Sequence, residues 1–391
     1  MPKPAFSAAG LRRALVIKLR HHGDVLLAAP VIATLKHHAP ECELDALVYA
    51  DTAPMLDSHP ALSQLHLIDR RWKRQGLGRQ SAAELKLISA LRARHYDLIV
   101  HLSVHTRGAW LVRLLRPRWS VAPKYRPGFW AKSFTHLYPA QSHPDRHTVD
   151  TNLDSLRALG IEPTPEDMRV TMVPGAAAEA RVDALVAQHG LLRGGFVHVH
   201  PASRWAFKCW PAERVAALCD ALAAKGLPVV LSSAPDANEK ALIAAVQAAR
   251  GKIAVPPAPT VDFSGQLTLK ELAALAARAR LFVGVDSAPM HIAAAMGTPT
   301  VGIFGPSGDR EWGPWDNDGG ARRVVASLAH PCRPCGRAGC EDSKVSDCLV
   351  TLPVAQVLAA CEQLLATDPC RGRGPVALGS GSPPAWGGGA S

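Results

Sequence analysis

Three loops of this 391-residue chain gather side chains able to do chemistry. The first is Gly23-Asp24, shortly after the apolar run Ala14–Leu19. A carboxylate at a strand end can accept a proton, and the glycine lets the backbone turn tightly beside it. An Asp before an apolar helix can equally serve as an N-cap. The second is His200-Pro-Ala-Ser-Arg-Trp-Ala-Phe-Lys-Cys-Trp210. Ser203 supplies a hydroxyl, and Arg204 and Lys208 supply positive charge just ahead of a helix, which suits a phosphate or diphosphate. The alternative is a solvated basic loop with Trp205 and Trp210 as packing. The third is Val285-Asp-Ser-Ala-Pro-Met-His-Ile-Ala-Ala-Ala-Met-Gly297. Asp286 and Ser287 stand at a helix entrance, where free backbone N–H groups and the positive dipole end favour an anion. Ala288 and Ala293–Ala295 are small enough to permit close approach. His291 is either part of that site or an ordinary satisfied helix histidine.

A fourth group is Cys332-x2-Cys335-x4-Cys340-x7-Cys348. Four thiolates with one C-x2-C pair can hold a structural zinc or an iron–sulfur cluster, can form a disulfide or redox pair, or can stay free. The spacing is not that of a standard zinc ribbon. Of the nine cysteines, Cys42, Cys209, Cys219, Cys361 and Cys370 are scattered and read as small buried hydrophobes.

The elements that must position these loops alternate. Strand patterns at Ala14–Leu19, Leu44–Tyr49, Leu65–Ile68 and Asp97–Leu102 are separated by helical patterns at Val25–Leu35 and Ala82–Arg94, and Val149–Leu159 follows as a helix. A second series runs helix Ala176–His189, strand Phe196–His200, helix Ala212–Lys225, strand Pro228–Ser232 and helix Asn238–Arg250. It continues with helix Leu269–Ala279, strand Leu281–Val285, helix His291–Met296 and strand Thr300–Ile303. Such alternation predicts parallel sheets covered on both faces, whose ligands bind at the carboxyl ends of the strands. The expected division is a disordered N-terminal extension over 1–11, one Rossmann-like domain over 12–174 and a second over 175–350. A C-terminal helix over 351–370 and a disordered tail over 371–391 complete it.

Composition narrows the class. The chain is 48% hydrophobic, 20% charged and 5% aromatic, which excludes a mostly disordered, collagenous or disulfide-scaffold protein. No uncharged apolar stretch approaches the roughly 18 residues of a spanning helix, and the start lacks a signal-peptide pattern, so a cytoplasmic location with reduced thiols is expected. The net charge of +11 is one-sided: residues 1–160 hold 23 Lys and Arg against 12 Asp and Glu, and the remainder holds 21 of each. The first half is therefore expected to meet an acidic partner. Sequence-specific nucleic acid is not expected, because the chain is poor in aromatics and lacks a binding signature.

In combination, G-D-V, H-P-x-S-R-W-x-F-K-x-W and V-D-S-A-P-M-H-I-A-A-A-x-G-T-P resemble family-9 glycosyltransferases, the bacterial lipopolysaccharide heptosyltransferases. The midway loop is most similar to the heptosyltransferase III branch, and the resemblance spans about residues 12–365. It implies a GT-B fold, an α/β architecture of two Rossmann-like doubly wound domains facing across a cleft. It also implies inverting transfer of heptose from ADP-L-glycero-D-manno-heptose to the lipopolysaccharide inner core, with the acceptor on the N-terminal domain and the donor on the C-terminal one. By that resemblance Asp24 is the general base and Lys208 the cation beside the diphosphate. Asp286 is the donor-site carboxylate, and Ser203, Arg204, Ser287, Ala288 and His291 contact the donor. Glu239 is implied as a ribose-binding acid. No cofactor is required on this reading, since helix N-termini and Lys208 can stabilise the leaving group, and no Asp-x-Asp motif is expected to hold a divalent metal. Another GT-B sugar transferase or a sugar-nucleotide epimerase is the alternative. A lipid-linked acceptor further implies reversible docking on the anionic cytoplasmic face of the inner membrane. Arg70, Arg71, Lys73, Arg74 and Arg79, with Trp72 and Leu77 interleaved, are the expected contributors, or else a solvated loop.

Overall fold

Short runs of Val, Ile, Leu and Ala form strands buried on both faces, and the segments between them form the helices that cover those faces. The computed structural model describes residues 6–74, 76–139, 145–251, 258–317 and 321–366; Cys370 and the tail expected over 371–391 lie outside them. The first series is β1 (Arg13–Ile17), α1 (His22–Leu26), α2 (Ala29–His38), β2 (Glu43–Tyr49), β3 (Gln64–Ile68), α3 (Leu77–Ala93) and β4 (Leu98–His101). It ends with α4 (Thr106–Leu115), β5 (Trp119–Pro123), β6 (His136–Tyr138) and α5 (Thr148–Arg157). The second is α6 (Ala176–Gln188), β7 (Val197–His200), α7 (Ala212–Ala224), β8 (Val229–Leu231), α8 (Ala237–Ala249), β9 (Thr260–Asp262) and α9 (Leu269–Arg278). Then come β10 (Leu281–Val285), α10 (Ala288–Ala295), β11 (Thr300–Phe304), α11 (Asp309–Trp312), β12 (Arg322–Ala326), α12 (Asp347–Val350) and α13 (Val354–Ala366).

Each series builds a six-stranded sheet, ordered β3-β2-β1-β4-β5-β6 and β12-β11-β10-β7-β8-β9, with every pairing parallel. The two orders are the same once each sheet is numbered from its own first strand. The order reverses between β1 and β4 in one sheet and between β7 and β10 in the other, and these switch points open a crevice at the strand ends.

Three differences from the expected elements have plain causes. The helix expected over Val25–Leu35 is two, because Pro30 cannot donate an amide and instead occupies the first turn of α2. The helix expected to start at His291 starts at Ala288, with Pro289 in its first turn, so Ser287 itself becomes the N-cap. The extension expected to be disordered through residue 11 is packed from Phe6: its ring meets Trp119 edge-on at 5.3 Å, and Leu11 is buried in the core.

The larger apolar core crosses the seam between the sheets. Leu272 and Ala273 of α9 and Ile292 of α10 belong to the same cluster as Leu26, Val31 and Leu56. Polar contacts frame this seam. Lys270 Nζ donates to the carbonyls of Asp57 (2.7 Å) and Val173 (2.5 Å), and Trp315 Nε1 donates to the Met168 carbonyl (2.9 Å).

Candidate active site

The cleft between the sheets is a cavity of about 800 Å³, and all nine residues expected in the site line it: Asp24, Ser203, Arg204, Lys208, Glu239, Asp286, Ser287, Ala288 and His291. They arrive from loops that follow β1, β7, β8 and β10, three of which are strands flanking the switch points.

The β1 loop is held from beneath. Lys18 is buried, and its ammonium donates to the Leu102 carbonyl (3.1 Å) and Asn152 Oδ1 (3.0 Å); Asn152 Nδ2 in turn donates to the Leu27 carbonyl (2.9 Å). Burial pulls the Lys18 pKa down to about 8, against the pull of Asp24 in the other direction. Above this network α1 is one turn of helix, with Asp24 at its third position and not at the N-cap. Its carboxylate accepts from the His21 amide (3.4 Å) and lies 3.5 Å from Arg20 Nε, while its face toward the cleft is open.

Across the cleft, α10 presents its N-terminus. Ser287 makes no side-chain cap bond, and its Oγ is buried without a partner. His291 is buried one turn further on with Nδ1 unpartnered, and burial pushes its pKa down to about 4, so the ring is neutral. It is therefore not a satisfied helix histidine. The two halves touch here: a Cβ on Gly23 would sit 2.9 Å from His291 Cδ2. Buried polar atoms lacking partners at a helix N-terminus are the signature of a site completed by an anionic or hydroxyl-bearing ligand.

The β7 loop supplies the cation. Lys208 closes a short 3-10 turn, and its ammonium lies 2.5 Å from Asp286 Oδ2, pairing residues 78 positions apart. Trp210 anchors the end of this loop, fully buried and donating to the Leu352 carbonyl (3.2 Å), whereas Trp205 is half exposed on the cleft wall. On the β8 side, Glu239 Oε2 accepts from the Ala234 amide (2.9 Å), and burial raises its carboxyl above the usual range.

Several lining residues were not anticipated: His21 and His22 beside Asp24, His200, Ser233, the stretch from Gly265 to Leu269, and Trp312. Ser233 and Gly265 follow β8 and β9, and the carboxyl-end rule, applied to every strand, would have pointed to them. His22 donates to the Asp51 carbonyl (2.9 Å), and burial lowers the pKa of both His21 and His22.

In the cysteine loop, Cys332, Cys335 and Cys340 lie close enough to Cys348 to raise its thiol pKa further beyond the effect of burial, and no three of the four sulfurs are mutually within 4.8 Å. Cys332 and Cys335 are exposed, Cys340 is half-buried and Cys348 is buried, and none of the eight described cysteines is in a disulfide. Among the described residues, the only three ligand-type atoms mutually within 4.8 Å belong to His37, His38 and Asp167. The loop instead braces the site from behind. Ser346 Oγ donates to the Phe207 carbonyl (2.7 Å), and Arg333 donates to the Gly305 carbonyl (2.5 Å). One Asp-x-Asp does occur in the chain, Asp316-Asn317-Asp318. It is not part of the cleft lining: Asn317 bonds both backbone groups of Val170, and residue 318 is outside the described residues.

The basic Arg70–Arg79 segment is less free than expected. Trp72 packs against the core of the first sheet, Arg70 bonds Asp51 and the Arg20 carbonyl, and Arg71 pairs with Asp69. The side chains of Lys73 and Leu77 are outside the described set.

Two sheets of one Rossmann order sharing a cleft at both switch points define the GT-B architecture. Comparison with known proteins gives the class within it. The sequence profile of glycosyltransferase family 9 (heptosyltransferase) matches residues 84–346. The chain is 36% identical over 350 residues to lipopolysaccharide heptosyltransferase 3 of Escherichia coli, covering 89% of this chain and 97% of the relative. It is 25% identical over 356 residues to lipopolysaccharide heptosyltransferase 1 of Pseudomonas aeruginosa, covering 86% and 91%. In structure it is similar to the family-9 glycosyl transferase of Veillonella parvula, with TM-score 0.74, 20% identity and coverage of 90% and 97%. It is also similar to E. coli ADP-heptose lps heptosyltransferase II, with TM-score 0.70, 19% identity and coverage of 90% and 98%. The chain belongs to glycosyltransferase family 9.

Proposed function

We propose that this protein transfers heptose from ADP-L-glycero-D-manno-heptose to a heptose of the lipopolysaccharide inner core, in the manner of heptosyltransferase III and with inversion at the anomeric carbon. The observation that carries the reading is the meeting, in one cleft, of the Asp24 turn with the α10 entrance and its two unpartnered polar atoms. The similarity to lipopolysaccharide heptosyltransferase 3 supports the sugar and the acceptor class. In this mechanism the acceptor hydroxyl gives its proton to the Asp24 carboxylate, and its oxygen attacks the anomeric carbon. The bond from that carbon to the diphosphate breaks, and ADP leaves with the electron pair. Lys208 and the backbone N–H groups at the start of α10 face the charge that develops on the departing diphosphate. Asp286 holds the Lys208 ammonium in place, and Ser203, Arg204, Ser287, Ala288 and His291 line the donor. On this reading Glu239 accepts from the ribose hydroxyls. The reaction needs no divalent metal on this reading.

The excess charge of the first half supports a phosphate- and carboxylate-rich acceptor there, and with it reversible association with the cytoplasmic face of the inner membrane. No helix among the described residues is long and apolar enough to cross a membrane. The deciding experiment incubates purified protein with ADP-heptose and truncated core oligosaccharide. Mass spectrometry should show one added heptose; no addition, or conversion of the donor without an acceptor product, overturns the reading in favour of another sugar-nucleotide enzyme. Elemental analysis of the same preparation decides whether Cys332, Cys335, Cys340 and Cys348 carry zinc or iron.

A further inference from the structure

The positive charge of the first half is not evenly spread. Residues 98–144 hold seven Lys and Arg with no Asp or Glu, and they hold seven of the chain's 21 aromatic residues. Four of those rings, Trp119, Trp130, Phe134 and Tyr138, are buried in the core. The other three face solvent: Trp110 is 64% exposed, Tyr125 44% and Phe129 39%. They stand on α4 and on the one segment 124–133, with the Tyr125 ring edge-on to the buried Trp130. Trp110 packs on Phe129 with ring centroids 4.6 Å apart, the Arg113 guanidinium lies over Phe129 at 4.8 Å, and that of Arg126 lies over Tyr125 at 4.8 Å. Leu114, 38% exposed, is one turn from Trp110 on the same face of α4. Neither Arg113 nor Arg126 has a carboxylate partner among the described residues.

We propose that this face, formed by α4 and the segment 124–133, seats the enzyme on an anionic lipid bilayer. Exposed Trp, Tyr and Phe cost free energy in water but are at home at headgroup depth, where one side of the ring is apolar and the other wet. Arginines stacked on those rings bring their charge to the same depth, and a run of 47 residues without one acid leaves nothing to repel anionic lipid. A nucleic-acid surface would stack bases on rings left open, whereas the Phe129 and Tyr125 faces are already occupied by the Arg113 and Arg126 guanidinium groups, and Leu114 beside Trp110 is apolar. The location is suited to a lipid-anchored substrate. Segment 124–133 follows β5, which lies two strands, about 10 Å, from β1 in the sheet whose carboxyl edge carries Asp24. The inference deepens the proposed transfer, since it says how an inner-core acceptor would reach Asp24, but membrane seating does not depend on turnover.

The test is sedimentation of the full chain with phosphatidylcholine vesicles and with vesicles also containing phosphatidylglycerol, at low and at physiological salt. The parent protein should bind only the anionic vesicles. R113Q/R126Q should weaken that binding roughly 30-fold, at about fivefold per cation. The triple change W110S/Y125S/F129S should abolish it at physiological salt. A variant with Arg70, Arg71, Arg74 and Arg79 changed to Gln should bind within about threefold of the parent. Transfer to water-soluble core oligosaccharide should stay within twofold in the two patch variants, so a failed transfer assay of the parent sinks the proposed function and leaves the seating result standing. Unchanged circular dichroism shows that each variant folds. Equal binding to neutral vesicles, parent-like binding by both patch variants, or loss confined to the Arg70–Arg79 variant overturns the proposal. So does oligonucleotide binding that persists at physiological salt where vesicle binding does not.

Discussion

Asp24 does two things with one carboxylate. It accepts the His21 amide, as an acid in a first helical turn does, and it opens onto the cleft beside His291. Asn in its place keeps the volume and an acceptor oxygen but takes up no proton at neutral pH. Asp24→Asn is therefore expected to lower kcat by about 10²–10⁴ while ADP affinity by calorimetry stays within about threefold. Turnover near the parent level would return Asp24 to a purely structural role. Lys208 and Asp286 are a pair of another kind. Their 2.5 Å contact is only partly open to water, so removing either leaves the other charge uncompensated. Lys208→Ala should lower kcat/KM by about 10²–10³ through lost stabilisation of the leaving diphosphate, with a smaller loss in ADP affinity. Asp286→Ala should mainly weaken ADP binding, because a lysine without its partner is no longer held at the start of α10. Normal rates and normal ADP affinity in both variants would show that the diphosphate binds elsewhere.

Between elements, two glycines set the distances on which the site depends. Gly23 lets α1 come against α10; a methyl group there would meet the buried His291 ring at 2.9 Å from Cδ2, so either the ring or the turn must shift. Gly23→Ala should push the Asp24 turn away from the donor helix by a few tenths of an ångström or more. The expected outcome is a fall of at least tenfold in kcat with melting lowered by only about 2–4 °C, read by paired steady-state kinetics and calorimetry. A fully active Gly23→Ala enzyme would mean that the seam between α1 and α10 is not the catalytic spacing. Gly108 does the same for α4: a Cβ there would clash with the buried His101 ring at the end of β4. The helix that carries Trp110 thus owes its approach to β4 to a glycine that carries no chemistry.

Taken as one body, the molecule is sensitive to acid. His59, His101, His147, His200 and His291 are buried with pKa values pushed down to about 4, and His198 to about 3. Unfolded, each would titrate near 6.5. Below that pH the unfolded chain takes up protons that the folded chain refuses, so the stability is fully present above pH 6.5 and is lost progressively toward pH 4. Each ring contributes at most about 1.4 kcal/mol per pH unit within that window. The six together should lower the melting temperature by about 10 °C or more between pH 7.5 and pH 5. A melting temperature constant to within about 2 °C over that range would mean that several of these rings are already protonated in the fold. His291 and His147 lie near the seam between the two sheets, one lining the cleft and the other donating to the Gly313 carbonyl (2.9 Å). Acid should therefore loosen the cleft along with the cores.

Local pattern was enough for the parts of this protein that are local. Val/Ile/Leu runs set between helical periods could only become parallel strands under helices, and a glycine, an acid or a hydroxyl directly after such a run could only lie at the carboxyl edge of a sheet. That is why the loops after β1, β7 and β10 were legible, residue by residue, before any contact was known. Short elements without a clear period escaped: α4, with arginines through its apolar face, and the five- and three-residue strands β5 and β6. What a side chain meets across the chain is not a local property. Trp72 and Trp110 both stand among arginines, yet one packs into the first sheet and the other faces solvent. The four clustered cysteines have ligand-like spacing and lie near one another around Cys348, but whether any three sulfurs come within ligand distance is set by the fold of the loop, and among the described residues none do. Lys208 meets Asp286 because β7 and β10 are neighbours in the second sheet, although 78 positions separate the two residues. His291 meets the Gly23 turn only because the two sheets close on each other, which brings together residues more than two hundred positions apart. Sequence determined which groups stand at the strand ends; the packing of one sheet against the other decided which of them face each other.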